Sequence, residues 1–516
     1  MRADLALING NILTLNPVKP GAEAVAIKKD RIVGVGSNRE VGLLVGEGTE
    51  VVDLGGRTVV PGFVDSHIHV VDFGKVLAWI DLTDVKSIGE MQGRLKERVK
   101  KIPKGRWVVG NGWNHERFVE KRYPNRFDLD EVSLDNHVVF YHQCGRVCVV
   151  NSKALELAGV TEETVAPSGG EIERDAGTGE LTGVFRENAT DLVWKAIPEA
   201  SEEELAEAAC LACEKIVEAG VTDIHWIVTS PVEISVIKRL GDSLPLRVHV
   251  IVAANIWEQL KVSGSLPDGN WGVKVFVDGS LAARTAALKE PYLDDPTNRG
   301  ELLYSQQELD ALVSRAHRAG CRLVMHAMGD RAIEAALDAV EKALKEKPMK
   351  NHGYRLEHAS VLNRKLIARI KKVGLTVSVQ PKCAITEFSV WSAVERLGPE
   401  RARLLYPFKT LIDEGILVVG GSDCPMEPLS PLEGIQAAVT RQYFPEEQIS
   451  VDEALKMYTV NAAKASSEEN IKGTVEEGKL ADLTVLSGDP RTVQPNKIGD
   501  ITVYMTVVGG KIVYQK

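Results

Sequence analysis

Eight short apolar segments recur along this chain, and amphipathic stretches separate several of them. The segments are FVDSHIHV (63–70), VTDIHWIV (221–228), LRVHVIV (246–252) and VKVFVDG (273–279), followed by CRLVMHAM (321–328), YRLEHAS (354–360), LTVSVQP (375–381) and ILVVGGSD (416–423). Stretches such as SQQELDALVSRAHRAG and DRAIEAALDAVEKALKE carry apolar residues at helical spacing. Eight strands in strand–helix alternation predict an α/β fold, a (β/α)8 TIM barrel, over residues 59–471.

Both ends read differently. Residues 1–58 and 472–516 are rich in short apolar runs punctuated by Gly, Asn and Pro, which predicts antiparallel strands. Neither end offers many strands alone, so the two are expected to pair into one small β-sandwich domain. The gap between the first and second barrel strands, about 71–205, exceeds an ordinary crossover. It is expected to form an inserted subdomain over the barrel mouth.

Composition excludes some functions. A net charge of −10 with no basic stripe argues against a nucleic-acid partner. No run of about 18 apolar residues exists, so no membrane span is expected. The amino terminus lacks the apolar core of a secretory signal, which predicts a cytoplasmic protein. Seven cysteines are an odd count for a disulfide framework. The Cys210–Cys213 pair lies in a helical pattern and reads as core packing. A homodimer is the default for an enzyme of this size.

The chemistry-bearing residues sit at strand ends. In VDSHIHV, alternation places Asp65, His67 and His69 on one face, so two imidazoles can reach one metal. His326, His358 and Asp423 end three other strands, at the face where barrels place active sites. Imidazole and carboxylate are ordinary zinc ligands. Lys274 shares its face with Phe276 and Asp278, opposite the valines of VKVFVDG, and so points inward. A buried ammonium beside a dication is costly, so this lysine must be neutral, paired with an acid, or chemically altered.

With PGFVDSHIH, KVFVDGSLAARTAAL, HAMGDRAI, RLEHAS and GSDCP in this order, the sequence resembles the amidohydrolase superfamily. The branch it resembles contains YtcJ-like proteins and N-substituted formamide deformylases. The resemblance spans nearly the whole chain and includes GRWVVGNGWN and VNSKALELAG in the insertion. It implies that His67, His69 and Asp423 hold one divalent metal, of zinc type, and that His326 and His358 hold a second. It further implies a carboxylated Lys274 bridging the two, although some branches work with one ion. The segment CGRVCVVNSKAL departs from the family, because Arg146 stands where relatives carry histidine.

The resemblance implies a hydrolase that cleaves a non-peptide carbon–nitrogen bond of a small molecule, an amide, formamide or cyclic amide, with metal-activated water. Asp423 is the expected proton shuttle. His225 is a candidate for substrate contact, as are Trp113, His115, Arg146 and Arg284 in loop-like positions. The alternatives are a deaminase on the same barrel, an ester or lactone hydrolase using the same centre, and a non-enzymatic binding protein. A deaminase would carry a glutamate shortly after the fifth-strand histidine, where this chain reads HAMGD.

Overall fold

A computed structural model describes residues 2–263 and 272–516. All eight segments form strands of one parallel sheet in sequential order. They are β1 (Phe63–Ile68), β2 (Val221–Val228), β3 (Arg247–Ala253) and β4 (Gly272–Phe276), then β5 (Arg322–Ala327), β6 (Arg355–His358), β7 (Thr376–Val379) and β8 (Val418–Gly420). The sheet curls into a nearly closed barrel. Every residue of β2 is buried, as expected for a parallel strand covered on both faces.

Parallel neighbours need crossovers, and helices supply them. Helix Gln306–Arg318 opens at Ser305, whose hydroxyl and the Glu308 carboxylate form a capping box. Helix Asp330–Glu346 buries Ala332, Ile333, Ala336, Leu337, Val340 and Ala343, a stripe at helical spacing. Helix Arg364–Val373 stops at Gly374, whose φ of 78° suits a left-handed cap.

The terminal segments build two sheets. Strand Leu483–Leu486 pairs antiparallel with Thr58–Pro61, joining both ends of the chain in one sheet. Leu7, Val25 and Ile27 of one sheet share an apolar core with Val59, Leu483 and Met505 of the other. The expected purely antiparallel pairing needs correction. Leu5–Ile8 runs parallel to Glu50–Asp53, and Asn11–Leu13 runs parallel to Thr58–Pro61. Hairpins force antiparallel pairing only between adjacent strands, and these partners are distant in sequence.

Residues 74–208 form a second compact unit, apart from 1–73 and 209–516. It contains a six-stranded mixed sheet. Strand His137–His142 alternates between two cores: Val138 and Phe140 pack with Met91 and Leu95, while Val139 and Tyr141 pack with Cys148 and Leu155. Among the described residues, no helix is long and apolar enough to cross a membrane. All seven cysteines are free thiols. Cys213 is buried but Cys210 is exposed on the same helix, so only the former packs in the core.

Candidate metal centre

The candidate ligands meet at the carboxyl ends of the barrel strands. His67 lies in β1, with His69 just past the strand's end, and Asp423 follows β8. Two backbone hydrogen bonds join these ends: Asp423 N–H donates to His67 O at 2.7 Å, and His69 N–H to Cys424 O at 3.0 Å. Gly421 permits the approach, since a Cβ there would lie 2.7 Å from the His67 nitrogen. Asp65, grouped with the histidines by alternation, has another task. Its carboxylate accepts from the amides of Ser422 (2.9 Å) and His67 (3.1 Å), latching β8 to β1.

The imidazole rings converge. Ring centroids lie 5.7 Å apart for His67–His69, 5.1 Å for His67–His358 and 4.5 Å for His326–His358. One ligand atom each from His67, His358 and Asp423 falls within 4.8 Å of the others. Tetrahedral zinc donors at about 2.1 Å would be about 3.4 Å apart. A small inward movement suffices.

Three acceptors fix three tautomers. The Glu357 carboxylate accepts from His67 Nδ1–H, the Gln380 amide oxygen from His358 Nδ1–H at 2.7 Å, and the Gly279 carbonyl from His326 Nε2–H at 3.0 Å. Each pairing leaves the other ring nitrogen with a lone pair, the form a metal requires. Burial keeps the rings neutral. It lowers His67 to about 4, aided by the Lys274 charge, and His358 to about 3; His326 also falls well below the ordinary histidine value. This donor chemistry fits a divalent cation.

Lys274 is fully buried, with Nζ 3.2 Å from His67 Nε2. Burial lowers its pKa to about 8, and nearby Arg355 adds to the shift against Glu357 and Asp423. Asp278 is not its partner. That carboxylate accepts from the amides of Ala287, Met328 and Gly329 at 2.8, 3.0 and 2.8 Å, tying the loops after β4 and β5. Asp423 Oδ1 lies 3.3 Å from Nε2 of both His67 and His69. Burial alone would raise its pKa, but the facing histidines hold it well below the usual carboxylate range.

Trp113, His115 and Arg146 belong to the 74–208 unit, and His225 and Arg284 to the unit that holds the barrel. His225 lies inside its strand. It is the fifth residue of β2, 3% exposed, with its nitrogens engaged by Arg355 and by Ser466 Oγ at 3.0 Å. Trp113 is a core residue of the 74–208 unit, its indole N–H donating to Phe140 O at 3.0 Å. His115 stacks on Tyr123 with centroids 4.0 Å apart. Arg146 is exposed and 3.6 Å from Glu187. Arg284, in the loop after β4, pairs with Asp294 at 2.6 Å.

Sequence reasoning missed Glu357, Gln380 and Arg355. Arg355 pairs with Glu357 at 2.8 Å and also donates to Ser66 O at 2.6 Å. Two signals could have found the first pair: Glu357 shares the inward face of β6 with Arg355, and Gln380 directly follows β7.

Comparison with known proteins shows which family the chain matches. Residues 50–514 match the amidohydrolase family. The chain is 37% identical over 530 residues to the Bacillus subtilis (strain 168) protein YtcJ, whose name places it among the amidohydrolases; 98% of each chain is covered. It is 29% identical over 539 residues to the N-substituted formamide deformylase of Arthrobacter pascens, covering 99% of this chain and 98% of that one. A crystal structure of an uncharacterized metal-dependent hydrolase from Pyrococcus furiosus matches with a TM-score of 0.78 at 33% identity, over 95% of this chain and 100% of that one.

Proposed function

The chain belongs to the amidohydrolase family, and we propose that this metal-dependent hydrolase cleaves a non-peptide carbon–nitrogen bond in a small amide, formamide or cyclic amide. The observation that carries the reading is the set of three imidazoles with fixed tautomers, aimed at the same space as Lys274 and Asp423. The similarity to a formamide deformylase supports the choice of bond.

In this reading His67, His69 and Asp423 hold one ion, and His326 and His358 hold a second. Zinc suits these nitrogen and oxygen donors. A bound divalent ion supplies Lewis acidity for the carbonyl and a water whose pKa is about 7. Lys274 joins the set as a carbamate. Carboxylation joins carbon dioxide to a neutral amine and releases a proton to solvent, and the lowered pKa of Lys274 favours the neutral amine. It would turn a buried cation into an anionic ligand.

The protein's own groups then handle the protons. Asp423 is ionised and beside the imidazoles, so its carboxylate accepts a proton from the attacking water and returns it to the leaving nitrogen. Glu357, Gln380 and the Gly279 carbonyl keep the rings oriented throughout.

The test is a screen of zinc- and manganese-loaded enzyme against formamides, linear amides, cyclic ureas, esters and lactones. Turnover of carbon–nitrogen substrates is expected. Turnover confined to esters or lactones would move the reading to carbon–oxygen hydrolysis, and ammonia release from purines would move it to deamination.

A further inference from the structure

Four buried polar atoms on the segments following β6 and β7 lack a geometrically complete hydrogen bond among the described residues. They are Ser360 Oγ, Gln380 Nε2, Glu387 Oε2 and Tyr406 Oη. Ser360, Gln380 and Tyr406 are completely buried, and Glu387 is 6% exposed. Such atoms are costly to leave unmatched, so native proteins rarely carry several together.

Their positions relate them to the metal cluster. Ser360 lies two residues past His358, and the Tyr406 amide donates to Ser360 O at 3.0 Å. Gln380 gives its oxygen to His358, which leaves its N–H groups for another acceptor. Glu387 lies on helix Pro381–Ser389, directly after β7. The Tyr406 phenol faces the carboxylates of Glu387 and Asp423 and lies against the Ser360 hydroxyl.

We infer that these four atoms form a substrate subsite for a neutral group that both donates and accepts hydrogen bonds, such as a primary carboxamide or ureido group. The inference rests on the reading of the adjacent centre as a hydrolytic site. Gln380 and Tyr406 donate, Glu387 accepts, and the Ser360 hydroxyl does either. An apolar substituent would leave all four unsatisfied. Burial raises Glu387 to about 7, so above that pH a carboxylate would meet two ionised groups, Glu387 and Asp423, with Glu427 close to Glu387. Arg396 also faces Glu387, but its guanidinium already donates to the carbonyls of Leu281 and Ala282.

Two probes of similar size separate the cases: N-formylglycinamide and N-formylglycine. Their binding to zinc-loaded protein is measured by titration calorimetry, and amine release is read separately. The amide should bind roughly tenfold tighter or more, about the factor of one net hydrogen bond. Tyr406→Phe and Glu387→Gln should each erase that preference while metal content stays at the wild-type level. Equal affinities, preference for the carboxylate, or a preference that survives both substitutions would overturn the subsite. Failure of N-formylglycinamide to bind would also overturn it, leaving ordered water as the partner of these atoms. Binding of the amide without amine release would support the subsite and count against carbon–nitrogen cleavage.

Discussion

The backbone amide of Asp423 donates to the carbonyl of His67 across 2.7 Å, joining β8 to β1 at the rim where both side chains point inward. The seam of the barrel therefore helps to place the carboxylate, beside its contacts with His67 and His69. Asp423→Asn keeps the backbone bond and the side-chain shape but removes the proton acceptor. It should retain the wild-type melting temperature and lose about 10²–10⁴-fold in kcat. Turnover like that of the wild type would remove Asp423 from proton transfer.

Glu357 should matter twice. It fixes the His67 tautomer and neutralises buried Arg355. Glu357→Ala leaves that guanidinium unpaired and should cost about 3–5 kcal/mol in denaturant unfolding. Glu357→Gln can still accept from His67, so it should fold better while binding metal about 10–100-fold more weakly in chelator competition. Unchanged metal affinity in the Gln variant would contradict the positioning role.

Lys274 should carry a carbon dioxide adduct. Native mass spectrometry of the metal-loaded protein is expected to show that mass, and mild acid should remove it. Lys274→Ala should lose most turnover and part of the bound metal. An unmodified lysine in fully active protein would rule out the carbamate.

A second buried network has its own pH signature. Lys472 pairs with Asp223 and Glu468, and His249 lies 3.0 Å from Glu468 and 3.5 Å from Asp223. Burial alone would lower His249, but the two carboxylates outweigh it and raise the pKa to about 9. A raised histidine stabilises fully below its unfolded value of about 6.5, and the contribution disappears as pH rises through about 9. Urea unfolding should therefore show His249→Gln less stable by about 1–3 kcal/mol near pH 6, with the gap closing above about pH 9. A gap independent of pH would mean that the ring acts through packing.

The eight strands could be read from the letters because parallel barrel strands, buried on both faces, leave continuous apolar runs. Lys274 was visible as a charge among valines. The residues around the centre were harder to see for a conformational reason. Strict alternation puts Glu357 and His358 on opposite faces, but His358 has φ 68° and Asp423 has φ 58°, left-handed conformations that no pattern of non-glycine residues reveals. The position of His225 along its strand was hidden for a different reason. With all eight residues of β2 buried, nothing in the sequence marked where its inward end lay.

Metal content measured per chain tests the central claim most directly, comparing wild type with His67→Ala and His358→Ala, each checked for folding by circular dichroism. Wild type is expected to retain one or two divalent ions after dialysis, with activity lost on chelation and restored by zinc. Each folded variant should lose metal and turnover together. Wild-type metal content in both variants, or full activity in the metal-free protein, would contradict the account.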